Sequence, residues 1–175
     1  FDKTPASKYV MAILKDENRP PGLLAQTLRL VSPTDPELTV DLLNRFLGSQ
    51  EPRLRLEAVR TLQGSPLSEA PAILRRIASD EKEDLRLRSE AAVGLATSLT
   101  GDNPASTETI VGLLRSSEPT LRTEALRAAR GVAAGNAPLS EKVRQAAKEL
   151  PPAGTRPTDE DRALAEEIAL ALTGV

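Results

Sequence analysis

Leu54-Arg55-Leu56-Glu57-Ala58 returns as Leu87-Arg88-Ser89-Glu90-Ala91 and again as Leu121-Arg122-Thr123-Glu124-Ala125, at intervals of 33 and 34 residues. A fixed period of that length, carried by one short phrase, is the mark of a stacked array of helix pairs. Within each copy the apolar residues fall at i, i+4 and i+8: Leu54, Ala58 and Leu62, then Leu87, Ala91 and Leu95, then Leu121, Ala125 and Ala129. That spacing puts them on one face of a helix. Each phrase therefore opens the second helix of a pair, and a shorter apolar-periodic segment precedes it: Leu38 to Leu47, Ala70 to Ala78, and Thr107 to Leu114.

Stepping back 33 residues from Ala58 reaches Ala25, inside Pro21-Gly22-Leu23-Leu24-Ala25, with Tyr9 to Leu14 as the preceding segment. This is a degenerate first pair, and terminal units of an array are expected to be atypical. A fifth pair without the phrase is expected over Ser140 to Leu150 and Thr158 to Leu172, where Thr158 and Asp161 resemble a capping box. The expectation is a single repeat domain over residues 1–175, with units at 5–33, 36–64, 68–100, 104–135 and 139–174.

Proline placement punctuates the same boundaries. Pro52 and Pro119 open second helices, where the missing N–H costs nothing and the fixed φ helps; Pro20 and Pro21 do so in the first pair. Pro71 fits a first helical turn, and Pro33, Pro36, Pro66, Pro104, Pro138 and Pro157 are read as lying between helices. No segment has the alternation a sheet requires. The loop Ser79 to Asp84 reads as about three residues longer than the turns at Gly48 to Glu51 and Arg115 to Glu118, and insertions in such arrays collect in loops.

An acid lies four residues before each phrase Arg: Glu51 and Arg55, Asp84 and Arg88, Glu118 and Arg122. The order suits an i,i+4 pair with the acid at the positive helix end, but an isolated exposed pair contributes only about 0.3–0.5 kcal/mol. A ladder between neighbouring units, with each Arg donating charge-assisted hydrogen bonds of about 1.5–3 kcal/mol, accounts better for the recurrence. A row of Arg aimed at a phosphate or acidic ligand is the functional alternative.

Glu51-Pro52-Arg53-Leu54-Arg55-Leu56-Glu57-Ala58-Val59 and Glu118-Pro119-Thr120-Leu121-Arg122-Thr123-Glu124-Ala125-Leu126 together resemble the HEAT repeat, especially its short bacterial type. The resemblance covers roughly residues 36–134. It implies an all-α, right-handed superhelix of about five helix pairs, armadillo-like in character, with second helices lining a concave face and a scaffolding role toward protein partners. The first pair departs from the pattern, with Asn18 in place of the acid and Gly22 in place of the Arg. A tetratricopeptide array has a similar period, but its large aromatic positions are empty here.

Composition limits the chemistry. The 175 residues contain neither Cys nor His, so the commonest general base, the thiol nucleophile and the commonest metal ligands are missing. Aromatics make up 2% of the chain and the formal charge is −2, which leaves no basic groove and little to stack on a base. No run of about 18 apolar residues is present to span a membrane. The chain begins at Phe1 and is read as a piece of a longer protein, so localisation is open.

These features lead to a non-enzymatic protein-binding scaffold, with no cofactor, no metal, no nucleic acid and no catalytic residue expected in this segment. The candidate contact residues are Arg53, Arg60, Arg86, Arg127 and Arg130 on second helices. An accessory repeat domain of a larger bacterial enzyme or c-type cytochrome-linked protein is the alternative. The HEAT-like lyases and DNA-binding proteins rank lower, because no carboxylate pair is singled out by spacing and neither a basic groove nor stacking aromatics are present. The Cys-x-x-Cys-His of a c-type haem module is missing, so such chemistry would belong to a neighbouring domain.

Overall fold

The computed structural model describes residues 6–99 and 103–133, with isolated helical positions at 140–142, 144–145 and 166. The expected fifth pair and its capping box lie almost wholly outside the described residues, as do Pro138 and Pro157. The order is α1 (Ala6–Lys15), α2 (Pro21–Leu28), α3 (Val40–Leu47), α4 (Pro52–Gln63), α5 (Ala70–Ser79), α6 (Leu85–Leu95), a short 3₁₀ turn (Ala96–Leu99), α7 (Pro104–Leu113) and α8 (Pro119–Ala133). All regular structure among the described residues is helical. The fold is all-α, a repeat of helix pairs.

Local chemistry sets the helix starts. Pro21, Pro52, Pro104 and Pro119 each occupy the first helical position, where an N–H would have no intrahelical acceptor. Thr39 Oγ1 accepts from Leu42 N at 3.3 Å, Asp84 Oδ1 from Arg86 N at 3.0 Å, and Asn103 Oδ1 from Ser106 N at 3.1 Å. Such caps are each worth about 1 kcal/mol. Pro104, expected between helices, instead opens α7, three residues ahead of the expected start at Thr107, because Asn103 serves as the cap. Leu38, expected inside α3, precedes it, because Thr39 serves as the cap.

The chain divides into two compact units, residues 1–73 and 74–175, with the division inside α5. In the first, α1 packs on α2, α3 on α4, and α2 on α4. In the second, α7 packs on α8 and α6 on α8, with the 3₁₀ turn against both second helices. Second helices thus stack on second helices in each unit. The repeated phrase supplies what this stacking needs: Leu54, Leu87 and Leu121 are buried, and Ala58, Ala91 and Ala125 are fully so. Alanine at these positions lets helix backbones approach closely while the leucines fill the space beside them.

Candidate functional site

The phrase arginines point back to the end of the preceding helix in their own pair. Arg55 Nε donates to Leu47 O at 2.9 Å, and Arg88 Nε donates to Ala78 O at 3.3 Å. Arg122 uses its Nη1 instead, reaching Ser116 O at 2.7 Å and Ser117 O at 3.2 Å. Its Nε is buried with no partner among the described residues. A helix C-terminus leaves carbonyls unsatisfied and carries partial negative charge. A guanidinium there fixes the turn between the two helices. These bonds join the halves of one pair.

Two of the acids before them cap helices. Glu51 Oε1 accepts from Arg53 N at 3.3 Å, and Asp84 Oδ1 accepts from both Arg86 N and Leu87 N. Glu118 closes the equivalent turn through its own N–H, which donates to Ser116 Oγ at 3.2 Å. Further along, Arg60 pairs with Glu57 at 3.1 Å and Arg127 with Glu124 at 2.9 Å, both one turn apart on the same helix. Arg53 and Arg86 are exposed near the starts of α4 and α6. Arg130 lies on α8.

Each unit carries a cleft between its first helices, and the two differ sharply. In the first unit a shallow site of about 330 Å³ is lined by Lys15, Glu17, Glu37 and Arg45 among others. It is stitched by charge: Arg45 pairs with Glu17 at 3.1 Å and Lys15 with Glu37. Arg45 also donates to the carbonyls of Leu14 and Lys15 at the end of α1. The first pair has Gly22 where the phrase Arg belongs, so the end of α1 receives its guanidinium from α3.

In the second unit the cleft measures about 830 Å³ and lies between α5 and α7. When α3 and α7 are aligned on their buried residues, Leu43, Phe46 and Leu47 match Ile110, Leu113 and Leu114. Arg45 then corresponds to Gly112. Without that wedge the space stays open, and a Cβ built on Gly112 meets nothing within 4 Å. The insertion before α6 forms part of the wall through Glu81, beside Ser79 at the end of α5. Its length follows from the Arg bonds: ten residues separate Ala78 from Arg88, against eight from Leu47 to Arg55, so two residues are inserted where about three had been expected.

Arg75, Arg88 and Arg115 line this cleft together with Glu81, Glu108 and Glu118. Arg75 Nη1 donates to the fully buried Ser106 Oγ at 3.3 Å, which lies 2.9 Å from Ser98 Oγ. Arg88 is 9% exposed, and beyond its Nε bond it makes no other contact of this kind among the described residues. Sequence reasoning read Arg88 first as a joint, with a row of Arg facing an acidic ligand as the alternative, and missed Arg75, Gly112 and Glu108. The available signal was the mismatch of Arg45 and Gly112 on first helices, hidden because only second helices carry the repeated phrase.

Among the described residues no group of three or more acidic side chains is arranged to hold a metal ion, and no helix is long and apolar enough to cross a membrane. Asp16 departs clearly from its ordinary value. The Asn18 backbone N–H, at 3.0 Å, and then the Arg19 guanidinium, at 2.9 Å, hold its carboxyl below the usual carboxylate value. It belongs to the α1–α2 turn, where it ties the chain locally.

No protein family model matches the chain, and no curated protein matches it. Solved structures do. An engineered protein from the Northeast Structural Genomics Consortium superposes with a TM-score of 0.62 at 21% identity, covering 98% of this chain and 79% of that one. A second engineered protein from the same consortium gives 0.60 at 21%, covering 94% and 78%. A computationally designed armadillo repeat protein for modular peptide recognition gives 0.54 at 17%, covering 94% and 72%. At these identities the likeness is one of fold: a helical repeat.

Proposed function

We propose that this chain is a non-enzymatic scaffold of HEAT-like helix pairs that binds a protein partner. The observation carrying this reading is the division of labour among its polar groups. The residues that recur cap helices and tie together the two helices of a pair, whereas the open polar cleft of the second unit occurs where the repeats depart from one another. A protein whose surface varies on a regular frame suits recognition of an extended partner. The designed armadillo neighbour, built for modular peptide recognition, supports the same reading.

Charged second-helix residues offer further contact points, each within its own unit: Arg53 and Arg60 in the first, Arg86, Arg127 and Arg130 in the second. Arg60 and Arg127 already have intrahelical Glu partners, so an acidic partner would compete with exposed pairs worth about 0–1 kcal/mol. The test is a selection of displayed random peptides on the immobilised chain, followed by binding measurements on the recovered sequences. Peptides binding this chain and not a control helical protein are expected. Recovery of none above background would refute the scaffold reading, and unchanged binding by an Arg60→Glu/Arg127→Glu variant would remove those two residues from it.

A further inference from the structure

The α5–α7 cleft holds three observations that point to one kind of occupant. The first is Arg88, nine-tenths buried yet lining the cleft, with Nε engaged by Ala78 O and both terminal amino groups without a hydrogen-bond partner among the described residues. A guanidinium stays charged throughout the accessible pH range, and its planar pair of donors matches a carboxylate. The second is Gly112, exposed on the cleft side of α7, with open space where a side chain would stand. A bare backbone at such a place permits close approach by another backbone.

The third is the balance of charge. Glu81, Glu108 and Glu118 line the same cleft as Arg75, Arg88 and Arg115. A multiply charged anion such as a polyphosphate would meet three carboxylates on entry, so like-charge repulsion disfavours it. A single carboxylate accompanied by a cation meets a partner for each charge. From Ala105 to Gly112 the lining face of α7 covers two turns, about 10 Å, which is the reach of roughly three extended residues.

From this arrangement we infer that the cleft binds a short extended peptide segment carrying one Asp or Glu next to a Lys or Arg. The carboxylate sits on the terminal amino groups of Arg88, the peptide backbone passes over Gly112, and the basic neighbour faces Glu108 and Glu118. The inference rests on the scaffold reading and adds the place and chemistry of recognition. In the first unit the corresponding space is taken by Arg45 and its ion pairs, so binding of this kind belongs to the second unit alone.

The test titrates the isotope-labelled chain with a pool of hexapeptides having Lys-Glu fixed at the centre, with a matched Lys-Gln pool, and with acetate. The Lys-Glu pool should shift the Arg88 Nε–H resonance and the amides of Thr109 and Gly112. The Lys-Gln pool should bind roughly tenfold to a hundredfold more weakly, as expected for a lost charge-assisted pair. Gly112→Leu fills the cleft while leaving Arg88 in place, and should abolish the response; Arg88→Met should do the same, with helix content checked by circular dichroism. Indistinguishable Lys-Glu and Lys-Gln pools, or acetate reproducing the peptide shifts, would overturn the inference. Peptide responses confined to second-helix residues outside the cleft, such as Arg60 and Arg127, would sink the cleft while leaving the scaffold reading standing. No response to any peptide, here or in the selection, would remove both.

Discussion

Replacing Arg88 by Ala should destabilise the chain far more than replacing Arg53, although both lie near the start of a second helix. Arg88 Nε reaches Ala78 O at 3.3 Å from a buried position, whereas Arg53 is exposed and contributes a backbone N–H to the Glu51 cap. A hydrogen bond from a charged donor is worth about 1.5–3 kcal/mol, and the length of this one places it at the lower end. The cation also opposes the negative end of α5, for about 0.3–1 kcal/mol. Against this, removal of a largely buried charge returns part of its desolvation penalty.

The net expectation is a loss of about 1–2 kcal/mol, or about 2–8 °C in Tm for a chain of this size. For Arg53→Ala the expected change is within about 0.5 kcal/mol. Urea denaturation followed by far-ultraviolet circular dichroism gives the comparison, and amide exchange in the last turn of α5 reports whether the loss is local. Stabilities for the two variants agreeing within about 0.5 kcal/mol would refute the assignment of Arg88 as the tie between α5 and α6.

Three further outcomes follow from neighbouring details. Arg122→Lys should be tolerated, within about 0.5 kcal/mol, because an ammonium still reaches Ser116 O and Ser117 O and removes the buried orphan Nε; Arg55→Lys loses the Nε bond to Leu47 O and should cost about 1 kcal/mol in the same melts. Gly112→Ala should stabilise by about 0.5–1 kcal/mol, since its Cβ enters open space in a helix, whereas Gly64→Ala brings a Cβ to 3.1 Å from Pro33 Cβ and should show no such gain. For Asp16 the folded value lies below the ordinary 3.8, so its contribution is present above that value and is lost as pH falls through the folded one. The stability difference between the natural chain and Asp16→Asn should therefore shrink on acidification below about pH 4, and a difference that stays constant would contradict the assigned bonds.

Much of the frame is legible residue by residue. Pro52 and Pro119 mark the starts of α4 and α8 because proline tolerates only the first helical turn, and Ala58, Ala91 and Ala125 mark the buried face because one helical period returns them to it. Where the reading slipped, the cause was a local detail of cap and turn. Asn103 advanced the start of α7 onto Pro104, and two inserted residues before α6 did the work of three.

The amino-acid sequence by itself determined the helix pairs, their period and their apolar faces, because propensity, capping and helical periodicity act over one or two turns of chain. Tertiary structure decided which carbonyls the phrase arginines satisfy, that Arg45 serves the end of α1 where Gly22 cannot, and that Gly112 leaves open the space Arg45 closes in the other unit. Those outcomes depend on which helix ends come within reach of a guanidinium, a distance set by the packing of first helices that share no common phrase.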